Sequence, residues 1–517
     1  MNSRNVLFLT SVLMLVIALG MAASLIVAIS MNDSRAAVNG FGACTTICLA
    51  ASVAGIIASR RRSVKRNNYA ALQEGFTSVF LAWLAAIIFG ALPFILCCDF
   101  NVSDAIFETA SGLSTTGATI IEAGMELLNG NKFPDGLEGL PKSILFWRTL
   151  LNWLGGIGFV MFVLMLLPFL GVGKQLYNAE VPGLKSSFDQ ETPRIASTAR
   201  MMMGCYVVWT ALVAVAYRSI GMDNWFDAIC HSFSTVATGG FGNYTESFGY
   251  FKSPALQWAA IIAMFLSGCN FMLMLKLALK GKFEYHKDEE FRTFLFMALA
   301  ATLIFTLQLH SRPQLALAYT DNSPLPHQWE PLVRASAFQV VSIMSTTGFS
   351  TSDYLTWQLP GLPMLMLILM LAGGCGGSTS GGIKVARLIV VAKQSLGEVK
   401  RKLSPHLMPN VMLNRARVEM PVVRQTMAFV VIYFTTLGIC TFLLPYLSEM
   451  DFETALSAAI SAISNVGPGL AKVGPSATYA WMTPSAKCLL AFTMIAGRLE
   501  LYTALVVILP SFWHNRH

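Results

Sequence analysis

The chain has 517 residues, of which 55% are hydrophobic and only 12% charged, with a mean hydropathy of +0.58. Soluble domains carry about 25% charged residues, so the composition excludes a water-soluble globular protein and makes this an integral membrane protein. A net charge of +8 does not point to nucleic acid, because the basic residues crowd into a few connecting segments between apolar stretches.

Two apolar runs open the chain, at residues 6–29 and 36–58. The first is longer than the core of a signal peptide, about 7–15 residues, and the second follows at once, so both are expected to be retained spans. Beyond them one local pattern recurs four times: "DAIFETASGLSTTGAT" from Asp104, "DAICHSFSTVATGGFG" from Asp227, "ASAFQVVSIMSTTGFS" from Ala335 and "ETALSAAISAISNVGPG" from Glu453. Each copy is a short helix-compatible stretch ending in small polar residues and a glycine, at Gly117, Gly239, Gly348 and Gly467, and the intervals are nearly constant. An apolar span precedes each copy, at 75–98, 199–220, 291–309 and 427–447. Another follows, at 144–170, 255–279, 362–391 and 486–510.

The basic residues fix the orientation. They gather at 59–66, 174–200 and 280–292 and in a long segment with Lys393, Lys400, Arg401, Lys402, Arg415, Arg417 and Arg424. Other connections hold only a scatter, such as Arg35, Lys132, Lys252, Arg312 and Lys472. By the positive-inside rule the basic segments face the cytoplasm, with Arg4 and the tail "WHNRH". Each lies between one unit and the next, so all four short helices enter from the outer face. An inverted-repeat carrier needs alternating orientation and is excluded.

The expected fold is an all-α membrane protein: four span, re-entrant half-helix, span units around a pseudo-fourfold pore, plus two extra amino-terminal transmembrane helices. The divisions are 1–66 for the extra helices, then 67–173, 174–281, 282–398 and 399–517 for the repeats. One Ser-Thr-Thr-Gly is equally a helix-packing motif; four on one side of the membrane are not. Non-helical backbone survives at membrane depth only where protein buries it or it lines a wet path. Converging loops present carbonyl rings that replace the hydration shell of a monovalent cation, and glycine permits the backbone angles this needs. Thr115, Thr116, Thr238, Thr346 and Thr347 add hydroxyls. Asp104, Asp227 and Glu453 suit the positive helix starts; the third copy lacks such an acid near its start, Glu330 being the nearest.

"AGGCGGSTSGGIK", residues 372–384, lies inside the 362–391 span, where its glycines weaken any helix. It lacks the GK[ST] ending and the strand-to-helix setting of a phosphate loop. Glycines for tight helix packing are one reading; a broken helix whose loop crosses the pore beneath the half-helix ends is the better one. The ten cysteines form no CxxC pair and read as buried thiols. His231 reads as a packing residue, and Lys276 and Lys384 as cytoplasmic ends of spans. Arg498 within a span is expected to face a cavity or partner, not Glu500, since residues two apart on a helix do not face each other. No catalytic or metal-ligating spacing marks an enzyme.

The chain resembles the Trk/Ktr/HKT superfamily of potassium transporters, in its TrkH-type branch. The resemblance rests on the four repeated stretches, "WLGGIGFVMFVLMLLPFLGVGKQLYNAEVPG" from Trp153, "SGCNF" from Ser267, "GGCGGSTSGGIKV" from Gly373 and "GRLELYTALVVILPSFW" from Gly497. It implies a selectivity filter at Thr115, Thr116 and Gly117; Ala237, Thr238 and Gly239; Thr346, Thr347 and Gly348; and Asn465, Val466 and Gly467. Some sodium-selective relatives replace the first glycine with serine; four glycines here favour potassium as the substrate, with no cofactor in the chain. The fourth copy implies an asymmetric filter. The resemblance further implies a gate at Gly373, Gly374, Cys375, Gly376, Gly377, Ser378, Thr379, Ser380, Gly381 and Gly382 with Arg498 against it. It implies a bacterial inner membrane, a TrkA-type cytosolic nucleotide-binding ring as regulator and a homodimer. A sodium-permeable relative stays open, as does passive channel against coupled symport. A non-conducting scaffold or receptor is the reading from another class.

Overall fold

The computed structural model describes residues 3–59, 68–133, 135–158, 195–281, 284–311, 328–357, 359, 361–404 and 410–513. The basic run at 60–66, most of the 174–200 segment, the second half of the span expected at 144–170, Arg312 and the tail beyond Trp513 lie outside these residues.

The described chain is helical apart from a ribbon in which Met412–Leu413 pairs with Ala416–Arg417 and an isolated bridge between Glu126 and Lys132. Six of its helices are long and apolar enough to cross a membrane: Ser3–Ser30, Arg35–Ala58, Gln73–Cys98, Arg200–Ile220, Glu289–Ser311 and Met420–Leu447. Large apolar side chains such as Leu19, Ile26, Phe296, Leu299, Val431 and Phe442 stand exposed on them, as lipid as solvent requires. Lipid tails are as apolar as leucine, so close packing holds these helices together. A Cβ on Gly55 would run into Ser11 Oγ and one on Gly20 would sit 3.1 Å from the Trp147 ring. The first contact joins the two opening helices and the second seats them on the first repeat.

Between the spans lie four shorter helices: Val102–Leu113, Trp225–Val236, Trp329–Met344 and Phe452–Ser464. The third begins earlier than expected, so Glu330 stands in its first turn and all four copies carry an acid there. Arg334 and Trp258 bind that carboxylate, at 2.9 Å each. The Arg334 hydrogen bond holds it below the usual carboxylate range, the charged form a helix start favours. In the fourth, Asp451 ahead of the helix is the cap, receiving the Thr454 N–H at 3.3 Å.

Of the spans after the short helices, the third is broken as expected at the glycine-rich segment, and the other three depart from expectation. Not one of the four is a straight helix; all are interrupted near the depth at which the short helices end. The first, Lys142–Trp153, breaks at Gly155-Gly156. The second bends by 103° between Pro254–Ser267 and Phe271–Ala278. The third stops at Ala372 and resumes at Val385. The fourth, Pro484–Arg498, breaks at Glu500 and Leu501, both at positive φ, before Tyr502–Ile508. Crowding explains this: a Cβ on Gly155 would collide with Leu113 O and one on Gly497 with Ile463 O, carbonyls at the ends of the first and fourth short helices.

Candidate functional site

The four short helices end alike. The Thr115, Thr238 and Thr346 N–H groups return to carbonyls three residues back, and the next N–H of each loop reaches five back, to Ser111, Ser234 and Ser342. In the fourth copy Asn465 and Val466 do the same, Val466 reaching Ser461. This is the Schellman ending, whose left-handed position normally belongs to glycine. Here it is occupied by Thr115, Thr238, Thr346 and Asn465, at φ 55°, 52°, 57° and 56°. A β-branched residue there costs on the order of 1–3 kcal/mol and persists only where its surroundings over-determine it.

Two residues on, each loop has a glycine at positive φ: Gly117 (80°), Gly240 (74°), Gly348 (80°) and Gly467 (101°). These four sit against one another in order. A Cβ on Gly117 would collide with Gly239 O, one on Gly240 with Thr347 O, one on Gly348 with Val466 O, and one on Gly467 with Thr116 O, closing the circle. A single cavity of about 80 Å³ is lined by all four glycines, with Arg148, Tyr244 and Tyr479 further out.

Below this circle lies the glycine-rich segment of the third trailing span. Gly381 N–H donates to Thr346 Oγ1 at 2.8 Å, and Thr238 Oγ1 to Thr379 Oγ1 at 3.2 Å. Thr379 Oγ1 also donates to Val236 O at 3.0 Å. A Cβ on Gly381 would press on Ser464 O, so the segment touches three of the four loop ends. Arg498 clamps it: Nη1 reaches Thr379 O at 2.7 Å, while Nη2 and Nε reach Gly155 O at 2.7 and 3.2 Å. From the other side Glu290 Oε1 accepts from Gly376 N–H at 2.6 Å and Ala386 N–H at 2.9 Å. Glu500 pairs with Arg387 and, at 3.5 Å, with Lys384. Arg387 in turn lies over the Phe429 ring at 4.2 Å.

Comparison with known proteins decides what this architecture belongs to. Residues 45–515 match the family described as TrkH, cation transport protein. The chain is 38% identical over 449 residues to the Trk system potassium uptake protein TrkH of Salmonella typhimurium, covering 86% of both chains. It is 31% identical over 514 residues to the Trk system potassium uptake protein TrkI of Halomonas elongata, covering 99% of this chain and 97% of that one. The crystal structure of the potassium transporter TrkH from Vibrio parahaemolyticus superposes with a TM-score of 0.82 at 32% identity, across 99% of this chain and all of that one. The chain belongs to the TrkH family. It is a multi-pass membrane protein of a transport family and not an enzyme.

Within this TrkH-family chain the sequence expectation needs two corrections. The second loop is read one residue out of register: Thr238, Gly239 and Gly240 match Thr115, Thr116 and Gly117, and Ala237 matches Ser114. A serine six residues before each glycine, at Ser111, Ser234, Ser342 and Ser461, carries that register in the sequence itself. Lys384 does not end a span: it stands just before the helix that begins at Val385, and its side chain, 16% exposed, lies 3.5 Å from Glu500. Other expectations meet direct counterparts. Arg498 does not pair with Glu500 but bonds backbone carbonyls. His231 is fully buried among Tyr244, Phe248, Phe251 and Phe349, with Nδ1 2.8 Å from Asp227 O. Glu108, Arg148 and Glu290 went unnoticed at the sequence level, although each is a charge in or beside an apolar stretch, which is the signal that marks such residues.

Proposed function

We propose that this chain carries potassium into a bacterial cell across the inner membrane, through a pseudo-fourfold pore made by its four repeats. The reading rests on one observation: four half-helix ends of identical hydrogen bonding meet around a single cavity through Gly117, Gly240, Gly348 and Gly467. The selectivity filter is Thr115-Thr116-Gly117, Thr238-Gly239-Gly240, Thr346-Thr347-Gly348 and Asn465-Val466-Gly467. Successive carbonyls of these loops supply the oxygen shell that a dehydrating potassium ion loses. In each loop a left-handed residue and, two positions on, a positive-φ glycine set the path of the backbone, and the negative ends of four half-helices add a favourable field. Thr115 Oγ1 is buried without a partner among the described residues and is available as a further ligand. The relatives named for potassium uptake support the choice of ion.

The gate is the glycine-rich loop from Gly373 to Gly382 with Arg498. In the conformation described it lies under the filter and holds a guanidinium there, which repels cations and closes the path. The repeats divide near residues 66, 173, 281 and 398, with both termini cytoplasmic. By likeness to its family the chain forms a homodimer and takes its control from a cytosolic nucleotide-binding ring of the TrkA type.

Flux into proteoliposomes tests the reading, comparing potassium, rubidium, sodium and lithium, with Gly348→Ser alongside. A serine Cβ at this φ of 80° would push on Val466 O and lie 3.0 Å from Pro468 Cδ. Potassium and rubidium uptake in the native chain, with discrimination against sodium reduced by at least about tenfold in the variant, is the expected result. Equal passage of all four ions in both proteins would defeat it.

A further inference from the structure

The four loop junctions of the circle are not fastened alike, and two carry a buried ion pair: Lys487 with Asp104, 2.6 Å apart, between the fourth repeat and the first half-helix, and Arg148 with Glu108 behind the first two loops. Between the second and third loops, Gly249 N–H donates to Ser350 O at 3.0 Å. Between the third and fourth, Tyr354 OH donates to Gly469 O at 2.6 Å, and between the fourth and first, Tyr479 N–H donates to Thr119 O at 2.9 Å. The first and second loops are joined by charge. Glu108, on the first half-helix, and Arg148, on the span behind it, lie 2.8 Å apart with side chains 0% and 1% exposed. Glu108 Oε2 accepts from Ile120 N–H at 3.1 Å and from Thr119 Oγ1 at 3.2 Å, three and two residues past Gly117. Arg148 Nη2 donates to Thr119 Oγ1 at 3.3 Å and Nη1 to Gly242 O at 3.1 Å, two residues past Gly240. Its guanidinium lies 4.2 Å from the Phe241 ring.

We infer that Arg148, held by Glu108, is a positioning residue for ion discrimination: its planar fork sets the separation of the first two filter loops and thereby the ion size the ring accepts. The inference rests on the filter reading above. A guanidinium bonds in one plane with fixed spacing, so it links the Thr119 hydroxyl of one loop to the Gly242 carbonyl of the next as a rigid strut in a way that a lysine ammonium does not. Glu108 has two tasks: it orients the strut through four contacts, and it cancels a positive charge that would otherwise stand behind a cation path. Burial on both sides keeps the pair from being screened. The resemblance between loops is therefore close in backbone but not in bracing, and the first junction is the one bridged by a guanidinium, from the Thr119 hydroxyl of one loop to Gly242 O of the next.

The test is Arg148→Lys in proteoliposomes, read as the ratio of potassium to sodium uptake per folded protein, with folding followed by elution profile and thermal melt. Lysine keeps the charge and loses the fork. The ratio is expected to fall about tenfold while potassium uptake persists. Thr119→Val removes only the hydroxyl bridging Glu108 and Arg148, and a fall of about threefold is expected; it supplies the measurement where Arg148→Lys does not reach the membrane. A native ratio in whichever of the two is folded overturns the inference, since a merely structural role would lower the amount of protein and leave the ratio alone. Gly348→Ser runs in parallel. If it changes the ratio and Arg148→Lys does not, the strut fails and the filter stands; if the native chain shows no discrimination and Gly348→Ser changes nothing, both fall.

Discussion

The outer and inner layers of the site follow opposite rules. Outside, four half-helices end in the same hydrogen-bond pattern, with φ between 52° and 57° at one position and a positive-φ glycine two residues later in every copy. Inside, the four trailing spans all break at a similar depth, yet no two break alike. One interruption is a Gly-Gly kink, one a 103° bend, one two left-handed residues, and one a segment running from Gly373 to Lys384. The regular layer is packed backbone to backbone, so its geometry has no slack. The irregular layer hangs its longest break on side chains from elsewhere: Arg498, Glu290 and the hydroxyls of Thr238 and Thr346. A structure that must discriminate ions by size gains from the first arrangement, and one that must move gains from the second.

Substitutions in the second loop break the comparison most sharply. Gly240→Ser places a Cβ against Thr347 O of the neighbouring loop at a φ of 74°. It is expected to abolish selective uptake, a loss of at least about a hundredfold, with no single compensating change. A Cβ on Gly239 would meet the Asn152 side chain first, at Cγ and Nδ2. The loss in Gly239→Ala is expected to be smaller, about tenfold, and partly restored by Asn152→Ala, which removes the carbonyl and amide atoms in the way. Equal effects, or rescue of Gly240→Ser by Asn152→Ala, would contradict the register assigned here. In the inner layer the sign reverses. Arg498→Ala removes the clamp on Thr379 O and Gly155 O together with the blocking charge, and potassium flux through the chain alone is expected to rise about tenfold. Flux at or below the native rate would remove Arg498 from the gate.

The regular layer is also the one the sequence makes legible. Four short helices and the register of three of their four loop ends follow from recurrence, because backbone geometry repeated four times leaves a repeated sequence. The register of the second loop slips because "ATGG" offers two glycines, and choosing between them requires the serine six residues earlier or the turn geometry itself. The inner layer is legible only where composition is extreme, at the glycine-rich segment. Nothing local in "AGRLELY" announces that the last span breaks at Glu500 and Leu501; the cause is the Ile463 carbonyl pressing on Gly497, a contact between residues far apart in the chain. Glu108 with Arg148, and Glu290 with the Gly376 and Ala386 N–H groups, are invisible for the same reason: each half looks like an isolated charge until the fold supplies its partner.

Glu290 offers the finest test of whether the inner layer is held by side chains. Its carboxylate receives two N–H groups, one from Gly376 inside the glycine-rich segment and one from Ala386 in the first turn of the helix that begins at Val385. Glu290→Gln keeps an oxygen acceptor of the same shape and removes the charge, which weakens charge-assisted bonds by about 1 kcal/mol. If the segment is a closed gate, that loss favours release, and flux is expected to rise by about fivefold, less than for Arg498→Ala because the blocking guanidinium stays. Combining the two should add nearly nothing, since a loop already freed from Arg498 has little left for Glu290 to hold. Damage to the fold predicts the opposite sign, lower flux in the single variant and lower still in the double. The direction of the change therefore separates a latch from a structural prop, and a fall in both variants would place Glu290 in the packing of the span and leave Arg498 as the one side chain that holds the gate.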